Sequence, residues 1–244
     1  QDTVIVTGTL QGGTSLYGDS SSITGENDSF TIGAVSSGVV YANEGNDSMV
    51  VANTAKKSSL YGGSGNDSFS IAGAYSAGVV DGGTDKDTII LGSTLQGSAS
   101  LIGGDGEDLF SVVSGITSAA VYGNKADDTL IISNTSKKAS VYGGQGSDSV
   151  DAKAFNTAYF LGGLGNDSIV ATAVNSTTIY GGSSGSTDDG DDLLDIGGTA
   201  SASQLWGNQG KDQLSVDSHI TAVSLIGGDG NDTLQVGGNV TSAS

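Results

Sequence analysis

A unit of about twenty residues repeats along the whole chain, and this period constrains the fold more than any other feature of the sequence. Its clearest copy is LYGGSGNDSFSI, from Leu60 to Ile71, and eleven recognisable copies share one Asp column. The members of this column are Asp28, Asp47, Asp67, Asp87, Asp108, Asp128, Asp148, Asp167, Asp192, Asp212 and Asp232. Successive members lie 19 to 21 residues apart, except for a step of 25 between Asp167 and Asp192. One repeat therefore predicts one coil of a solenoid.

Large apolar residues alternate with other residues after each motif Asp, as Phe69 and Ile71 do. This period of two predicts a strand with one buried face. A second short strand precedes the glycines, and its inward pair is small and then large, as in Ala99 and Leu101. The sequence thus predicts an all-β parallel β-roll with two parallel sheets, a Gly/Asp turn on one edge and a looser turn, such as 73–78, on the other. The absence of Pro agrees, because every interior strand must donate its ladder hydrogen bonds.

The repeat also predicts the domain organisation. Two copies carry insertions, within 16–32 and 179–196, and the rest follow one another without a linker. Both ends fall inside a repeat, since QDTVIV at Gln1 matches the second half of the motif. We therefore expect residues 1–244 to form a single continuous β-roll segment of a longer repetitive protein.

The charge balance limits the classes of partner that the chain can bind. Eight Lys and Arg residues stand against 27 Asp and Glu residues, which gives a formal net charge of −19. Such a chain repels nucleic acid and anionic membrane surfaces, and a cation is its natural counterpart. There is no Cys to form a disulfide and no apolar run long enough to span a bilayer. We therefore predict neither nucleic-acid binding nor membrane insertion.

The turn motif GGxGxDxUx resembles the calcium-binding nonapeptide of the RTX (repeats-in-toxin) family, and the resemblance covers essentially the whole chain. In that family, turn carbonyls and the Asp carboxylates of adjacent turns enclose Ca²⁺. The family pairs two nonapeptides per coil, whereas here one edge alone carries the motif, so one row of ions is expected. Besides the Asp column, the resemblance implies as metal ligands Gly62, Gly63, Gly65, Gly103, Gly104, Asp105, Gly106, Gly143, Gly144, Gly146, Gly162, Gly163, Gly165, Gly207, Gly210, Gly227, Gly228, Asp229 and Gly230.

Elementary electrostatics supports the same cofactor. Parallel stacking places the motif carboxylates about 5 Å apart, where each pair repels by about 1 kcal/mol even in water. Oxygen ligands that mix carboxylates with carbonyls favour Ca²⁺ over transition metals and over Mg²⁺. Ten ions between eleven coils would nearly cancel the charge of −19. Ten is an upper bound, because the turns with Asp85, Ala126 or the 183–190 insertion lack motif glycines. The alternative is a metal-free solenoid in which Gly and Asp only form turns.

Two further columns leave alternatives open. Aromatic residues precede the turn in seven of the eleven coils, and they predict either a stabilising stack or a binding surface. These residues are Tyr17, Tyr41, Tyr61, Tyr122, Tyr142, Tyr180 and Trp206. On the outward side of the strand after the turn, Val50, Ile90, Ile131 and Val170 alternate with Ser70, Ser111 and Asp151. They indicate a contact face with another domain or scattered exposed apolar residues.

The functional prediction follows from the repeats and from the lack of catalytic groups. His219 is the single histidine and no Cys exists, so we predict no zinc site, no catalytic triad and no enzyme. The resemblance implies a secreted, extracellular part of a bacterial cell-surface layer, filament or adhesin, exported by a type I system. Its expected partners are further copies of itself or other cell-surface components. The alternative is a non-catalytic secretion module that folds in calcium and is attached to an exported enzyme or toxin.

Overall fold

The computed structural model describes residues 1–18, 25–183 and 189–242, and throughout these ranges the regular structure consists of β-strands. In chain order the strands are β1 (Thr3–Gln11), β2 (Ser15–Tyr17), β3 (Ser29–Ser36), β4 (Val39–Glu44), β5 (Ser48–Val51), β6 (Ala55–Lys56), β7 (Ser59–Ser64), β8 (Ser68–Ile71), β9 (Tyr75–Ser76), β10 (Val79–Thr84), β11 (Thr88–Leu91), β12 (Leu95–Gln96), β13 (Ser100–Asp105), β14 (Leu109–Val112), β15 (Ile116–Thr117), β16 (Ala120–Lys125), β17 (Thr129–Ile132), β18 (Ser136–Lys137), β19 (Ser140–Gln145), β20 (Ser149–Asn156), β21 (Tyr159–Leu164), β22 (Ser168–Asn175), β23 (Thr178–Gly182), β24 (Leu193–Ile196), β25 (Ala200–Ser201), β26 (Gln204–Gln209), β27 (Gln213–Val216), β28 (Ile220–Thr221), β29 (Ser224–Asp229), β30 (Thr233–Val236) and β31 (Val240–Thr241).

The strands form two parallel sheets, as the period of the sequence predicts. One sheet has eleven strands, which are β2, β4, β7, β10, β13, β16, β19, β21, β23, β26 and β29. The other twenty strands form the second sheet. Each strand pairs with its equivalent one coil away, so that Leu60 of β7 lies beside Val80 of β10. Because the pairing step equals the repeat, identical motif positions stack in columns along the solenoid.

The core lies between the two sheets and is thin. Phe69 and Ile71 of β8 and Leu60 of β7 are each at most 1% exposed. The small and large inward positions before the turn also stand as predicted, with Ala99 and Leu101 both buried. Bulky side chains from one sheet therefore pack against alternating small and large side chains from the other.

The looser edge contains a structure that the sequence analysis did not predict. Segment 73–78, which the sequence analysis predicts to be a turn, includes the two-residue strand β9, and Tyr75 of this strand is fully buried. The Tyr75 hydroxyl oxygen lies 2.7 Å from the carbonyl oxygens of both Ser58 and Val79, which share its single proton. An apolar residue at a nearly constant distance after the motif Asp is the signal that could have revealed this strand. Each complete coil thus supplies two segments to the larger sheet and one to the smaller.

The two insertions fall partly on residues 19–24 and 184–188, which lie outside the described residues. The flanking chain stays in register on both sides of the second insertion. Gly163 pairs with Gly182 before it, and Ser168 pairs with Leu193 after it. The extra residues of this coil therefore leave the stacking of the neighbouring turns unchanged. None of the described segments is a helix that could cross a membrane.

Candidate metal sites

The motif Asp side chains form a continuous hydrogen-bonded column along one edge. In each step, Oδ1 of one Asp accepts the backbone N–H of the motif Asp in the preceding coil. The distances for the donors from Asp28 to Asp212 are 2.6 to 3.0 Å. All the column members from Asp28 to Asp212 are at most 6% exposed, whereas Asp232 is half-buried. The column therefore ties every described turn to the next.

The second carboxylate oxygen of most of these residues has no hydrogen-bond partner. Oδ2 of every column member from Asp28 to Asp212, with the exception of Asp47, is buried and unpaired. A buried unpaired carboxylate oxygen is costly, and proteins satisfy such groups with a donor or a cation. The same atom is therefore the natural ligand for a metal ion in each turn.

A glycine lies opposite Oδ2 in every one of these turns except that of Asp47. In the clearest coil, a Cβ on Gly62 would collide with Oδ2 of Asp67 and with the carbonyl oxygen of Gly82 in the next coil. A carboxylate oxygen and a carbonyl oxygen from two adjacent coils thus face one space that only glycine leaves open. The same pair of oxygens faces Gly18, Gly82, Gly123, Gly143, Gly162 and Gly207. Three such glycines lie in turns that depart from the full motif and are missing from the predicted ligands, namely Gly18, Gly82 and Gly123. Gly181, which is also missing from them, faces Oδ2 of Asp192 alone.

This oxygen set fits calcium. Within the described ranges, no group of three or more His, Cys, Asp or Glu side chains converges on a common point. The turns instead offer one carboxylate per coil together with backbone carbonyls, a mixture suited to the large and flexible coordination shell of Ca²⁺. The unpaired Oδ2 of Asp67 and the carbonyl oxygen of Gly82 are the atoms that would hold the ion in the clearest turn.

Burial changes the acidity of the column. It raises the pKa of Asp67 to about 7 and that of Asp87 to about 8, and neighbouring carboxylates add to the effect. The hydrogen bond from the preceding backbone N–H lowers the pKa but does not compensate. The largest of these values is at Asp167, where burial raises the pKa to about 9. Without a cation, the folded coils therefore hold their carboxylates in an environment that disfavours charge.

A second ladder runs beside the Asp column. The residue before the motif Asp accepts the backbone N–H of its equivalent in the following coil, as Asn46 Oδ1 does from Asn66 at 2.7 Å. Asn66 Oδ1 does so in turn from Lys86 at 2.9 Å. The sequence analysis did not identify this role. Adjacent turns are thus held from both sides, and Asn66 has a structural function independent of any metal.

The predicted glycine ligands divide into two kinds. Gly62 and its equivalents face the carboxylate, whereas Gly63 and Gly65 have φ of 115° and 106° and turn the backbone. Glycine adopts such positive φ values without steric cost. Asp105 and Asp229 do not join the column, because both side chains are exposed. Asp105 instead pairs with Lys125 Nζ at 2.7 Å.

The turn of Asp128, which lacks motif glycines, keeps the site geometry. In the coil of Asp128, Asn124 and Ala126 adopt φ of 85° and 70°, so the backbone follows the same path as in the intact turns. Asp128 is 6% exposed, its Oδ2 is unpaired, and burial raises its pKa to about 8. A cavity of about 10 Å³, the size of one water molecule, lies between Asp128 and Asp148. The sequence makes calcium binding at this turn doubtful, but the geometry of the turn is the same as in the turns with intact motifs.

Two other coils differ from the motif in ways that the sequence did not highlight. Ala42 occupies the position of Gly62 in the coil of Asp47, so a methyl group stands in the space that glycine leaves open elsewhere. The coil with the second insertion gains a carboxylate, because Asp189 lies against Gly182 and its Oδ1 is buried and unpaired. Burial raises the pKa of Asp189. Asp47 is therefore the weakest candidate ligand of the column, and Asp189 is an additional one.

The column of outward apolar residues and the column of aromatic residues both lie on the outer faces of the sheets, as predicted. Val50, Ile90, Ile131 and Val170 point outward from the larger sheet and are 37% to 40% exposed. The aromatic residues form a row on the outer face of the smaller sheet. Tyr17, Tyr41 and Tyr61 stack at centroid distances of 5.0 to 5.1 Å and interplanar angles of 10°. The stacking interpretation is therefore confirmed for this part of the row.

Comparison with known proteins agrees with the motif. The family model for the RTX calcium-binding nonapeptide repeat (4 copies) matches residues 57–70 and 224–239. The first match contains Asp67 and the second contains Asp232, so both include a member of the Asp column. No curated protein and no solved structure matches the chain significantly.

Proposed function

We propose that this chain, an RTX-repeat β-roll, is a calcium-dependent structural rod of an extracellular surface layer, filament or adhesin, without catalytic activity. The observation that carries the proposal is the buried Asp column, in which one oxygen ties adjacent coils together and the other is unpaired. RTX calcium-binding repeats imply a calcium-binding structural repeat domain, and they are typical of secreted proteins.

Calcium would act in this rod as a connection between coils. When bound, it supplies the positive charge that the unpaired Oδ2 atoms and the facing carbonyls require. Ordered turns then no longer place uncompensated carboxylates at the edge of the core. Because the ligands come from two successive coils, ion binding and coil stacking become one process. The chain would therefore fold where free calcium is abundant, outside the cell.

The outward column of the larger sheet supports assembly with further copies. Its side chains alternate from coil to coil, since Val50 lies beside Ser70 and Ser70 beside Ile90. A second copy displaced by one coil would place its bulky residues against the small ones of the first. Such a face is complementary to itself, which favours a layer or filament of identical chains.

Calcium-coupled folding is tested by circular dichroism and thermal unfolding of the chain. We expect stable β-structure in millimolar Ca²⁺ and a large loss of β-structure and thermal stability in chelator near pH 8, with NaCl of equal ionic strength failing to restore them. Mg²⁺ is the matched control, and it should restore little, because its small octahedral shell suits this oxygen set poorly. An unchanged spectrum after verified removal of calcium would exclude the coupling.

Assembly is tested by electron microscopy of the full-length protein in calcium, in chelator and in NaCl. We expect ordered assemblies in calcium and their loss in the double variant Ile90→Ser and Ile131→Ser. The control is Val113→Ser, because Val113 is 42% exposed but lies outside the column. If the protein remains monomeric at high concentration in calcium, a secretion module of an exported enzyme or toxin becomes the better interpretation.

A further inference from the structure

The aromatic row on the smaller sheet changes its geometry near one end of the solenoid. Tyr122 and Tyr142 are stacked almost in parallel, with centroids 5.0 Å apart and planes inclined by 3°. Beyond them, the angle rises to 44° between Tyr142 and Tyr159 and to 54° between Tyr159 and Tyr180. Tyr180 and Trp206 follow at 6.0 Å and 30°. The rings therefore separate here instead of covering one another.

The register of the sheet explains the change. Tyr142 pairs with Leu161, so an aliphatic residue interrupts the row, and Leu161 pairs in turn with Tyr180. The missing ring is replaced by Tyr159, which stands two residues earlier, in a column otherwise occupied here by Ser140 and Thr178. Tyr159 thus reaches the row from the side. Its oblique position prevents the rings of its neighbours from closing on one another.

An open cavity of about 500 Å³ results on this face, within the usual size range of small-molecule sites. Its walls are the rings of Tyr159, Tyr180 and Trp206, and Leu161, Gly182 and Asn208 contribute to the surface between them. The three rings are half-buried, so they are fixed by packing while still reachable from outside.

The polar groups of this cavity favour a neutral ligand with hydroxyl groups. Trp206 Nε1 is buried and donates to no partner within the described residues, which leaves one unsatisfied hydrogen-bond donor among the rings. Among the described residues that line the cavity there is no Lys and no Arg to pair with an anion. An acidic ligand would also meet the net charge of −19.

We propose that Tyr142, Tyr159, Tyr180 and Trp206 form a binding track for a neutral oligosaccharide that lies along the rod axis. The C–H faces of pyranose rings pack on aromatic rings such as these. The successive centroid distances of 5.7, 5.9 and 6.0 Å are close to the length of one sugar unit along a chain. The track thus offers one ring to each of several consecutive sugars.

The stacked half of the same row provides an internal control. Tyr41 lies between Tyr17 and Tyr61, and its two faces are covered by its neighbours at 5.0 to 5.1 Å. No sugar can insert between rings at this spacing. The track should therefore depend on Tyr159, Tyr180 and Trp206, and not on aromatic residues of the row in general.

The test uses the fluorescence of Trp206, which is the single tryptophan of the chain. The calcium-loaded protein is titrated with soluble hexasaccharides of glucose and of N-acetylglucosamine, and with choline chloride as an organic cation. We expect a saturable fluorescence change with at least one hexasaccharide. Tyr180→Ala should weaken the affinity about tenfold or more, while Tyr41→Ala should leave it unchanged. Circular dichroism in calcium confirms that both variants fold.

Calorimetry separates the two contributions of Trp206. Trp206→Phe keeps an aromatic face and removes the donor, so it should weaken hexasaccharide binding less than Trp206→Ala does. Saturation by choline without a response to either hexasaccharide would overturn the proposal in favour of a cation site. Equal losses in Tyr41→Ala and Tyr180→Ala, or no response to any probe, would also overturn it.

Discussion

Oδ1 of Asp87 accepts the backbone N–H of Asp67 across the gap between two coils, at a distance of 2.7 Å. This link gives the two oxygens of one carboxylate different functions. Oδ1 sets the spacing and register of adjacent turns, while Oδ2 stays buried and unpaired. A substitution at such a position therefore affects the architecture and the candidate metal site separately, depending on which oxygen it replaces.

Asp67→Asn should have opposite effects with and without calcium. The amide oxygen can still accept the N–H of Asp47, but the buried charge and the anionic ligand are removed. In chelator near pH 8, above the raised pKa of about 7, the variant should be more stable than the parent chain. In calcium it should be less stable and need a severalfold higher calcium concentration for protection. Thermal unfolding over a calcium titration measures both effects.

Asp105→Asn is the matched control for that substitution. Asp105 lies in the equivalent Gly/Asp turn of another coil, but its side chain is exposed and pairs with Lys125. The stability of the Asp105→Asn variant in calcium should differ only slightly from that of the parent chain, because an exposed ion pair contributes about 0 to 1 kcal/mol to the free energy of unfolding. If Asp105→Asn and Asp67→Asn lose calcium protection equally, the division between buried and exposed carboxylates is wrong.

Gly62→Ala and Ala42→Gly should change the number of bound ions in opposite directions. The first places a methyl group against Asp67 Oδ2, and the second removes a methyl group from the coil of Asp47. Ala42 is accommodated in its own turn, so one methyl group at this position is compatible with the coil. Native mass spectrometry should count one calcium ion fewer in Gly62→Ala and one more in Ala42→Gly. If both variants bind as many calcium ions as the parent chain, the space beside Gly62 and Ala42 is not part of a metal site.

Asp128→Ala should lower calcium-dependent stability about as much as Asp148→Ala does. The motif alone would predict a smaller effect for Asp128, because its turn GNKADD lacks the Gly pair. Both residues are at most 6% exposed, accept the backbone N–H of the motif Asp in the preceding coil at 2.8 Å and have an unpaired Oδ2. Calcium midpoints of thermal protection compare the variants directly. A clearly smaller effect for Asp128→Ala would restore the prediction from the motif.

The metal-free protein should lose stability as the pH rises. The pKa values of Asp87 and Asp167 are raised to about 8 and about 9 by burial, from the ordinary value of 3.8. The folded state therefore binds protons more tightly than the unfolded chain. The resulting stabilisation is complete below the unfolded pKa and disappears as the pH passes through the folded values.

Thermal midpoints of metal-free protein should accordingly fall as the pH rises from about 4 to about 9. Saturating calcium should reverse this trend, because protons compete with the ion for the same carboxylates. A midpoint in metal-free buffer that rises with pH would show that the column is paired in some other way.

Thr157→Gly should stabilise the fold independently of calcium. Thr157 adopts φ of 56° in the turn opposite the Asp column, a region that costs a residue with a Cβ roughly 1 kcal/mol or more. Thr117 is exposed in strand β15 and has no positive φ, so Thr117→Gly should destabilise and serves as the control. Thermal unfolding in calcium measures both. Destabilisation by Thr157→Gly would show that its side-chain contacts outweigh the backbone strain.

The sequence by itself determined the solenoid and its columns. A nearly constant repeat places Asp67 beside Asp87 in every possible packing of parallel coils, because equal steps stack equal positions. The alternation of Phe69 and Ile71 with polar residues then decides which side of the strand is buried. These properties depend on the period alone, so no tertiary contact was needed to predict them.

Only the tertiary structure decided what varies between coils. The third strand with Tyr75, the outward direction of Asp105 and the oblique ring of Tyr159 depend on contacts between unlike residues of neighbouring coils. A period describes what the copies share and contains no information about how two different side chains share one space. Ala42 places one methyl group in the space that glycine leaves open in other coils, and the displaced ring of Tyr159 changes the stacking of the aromatic row. Both are set by packing between particular atoms, which the repeat pattern does not specify.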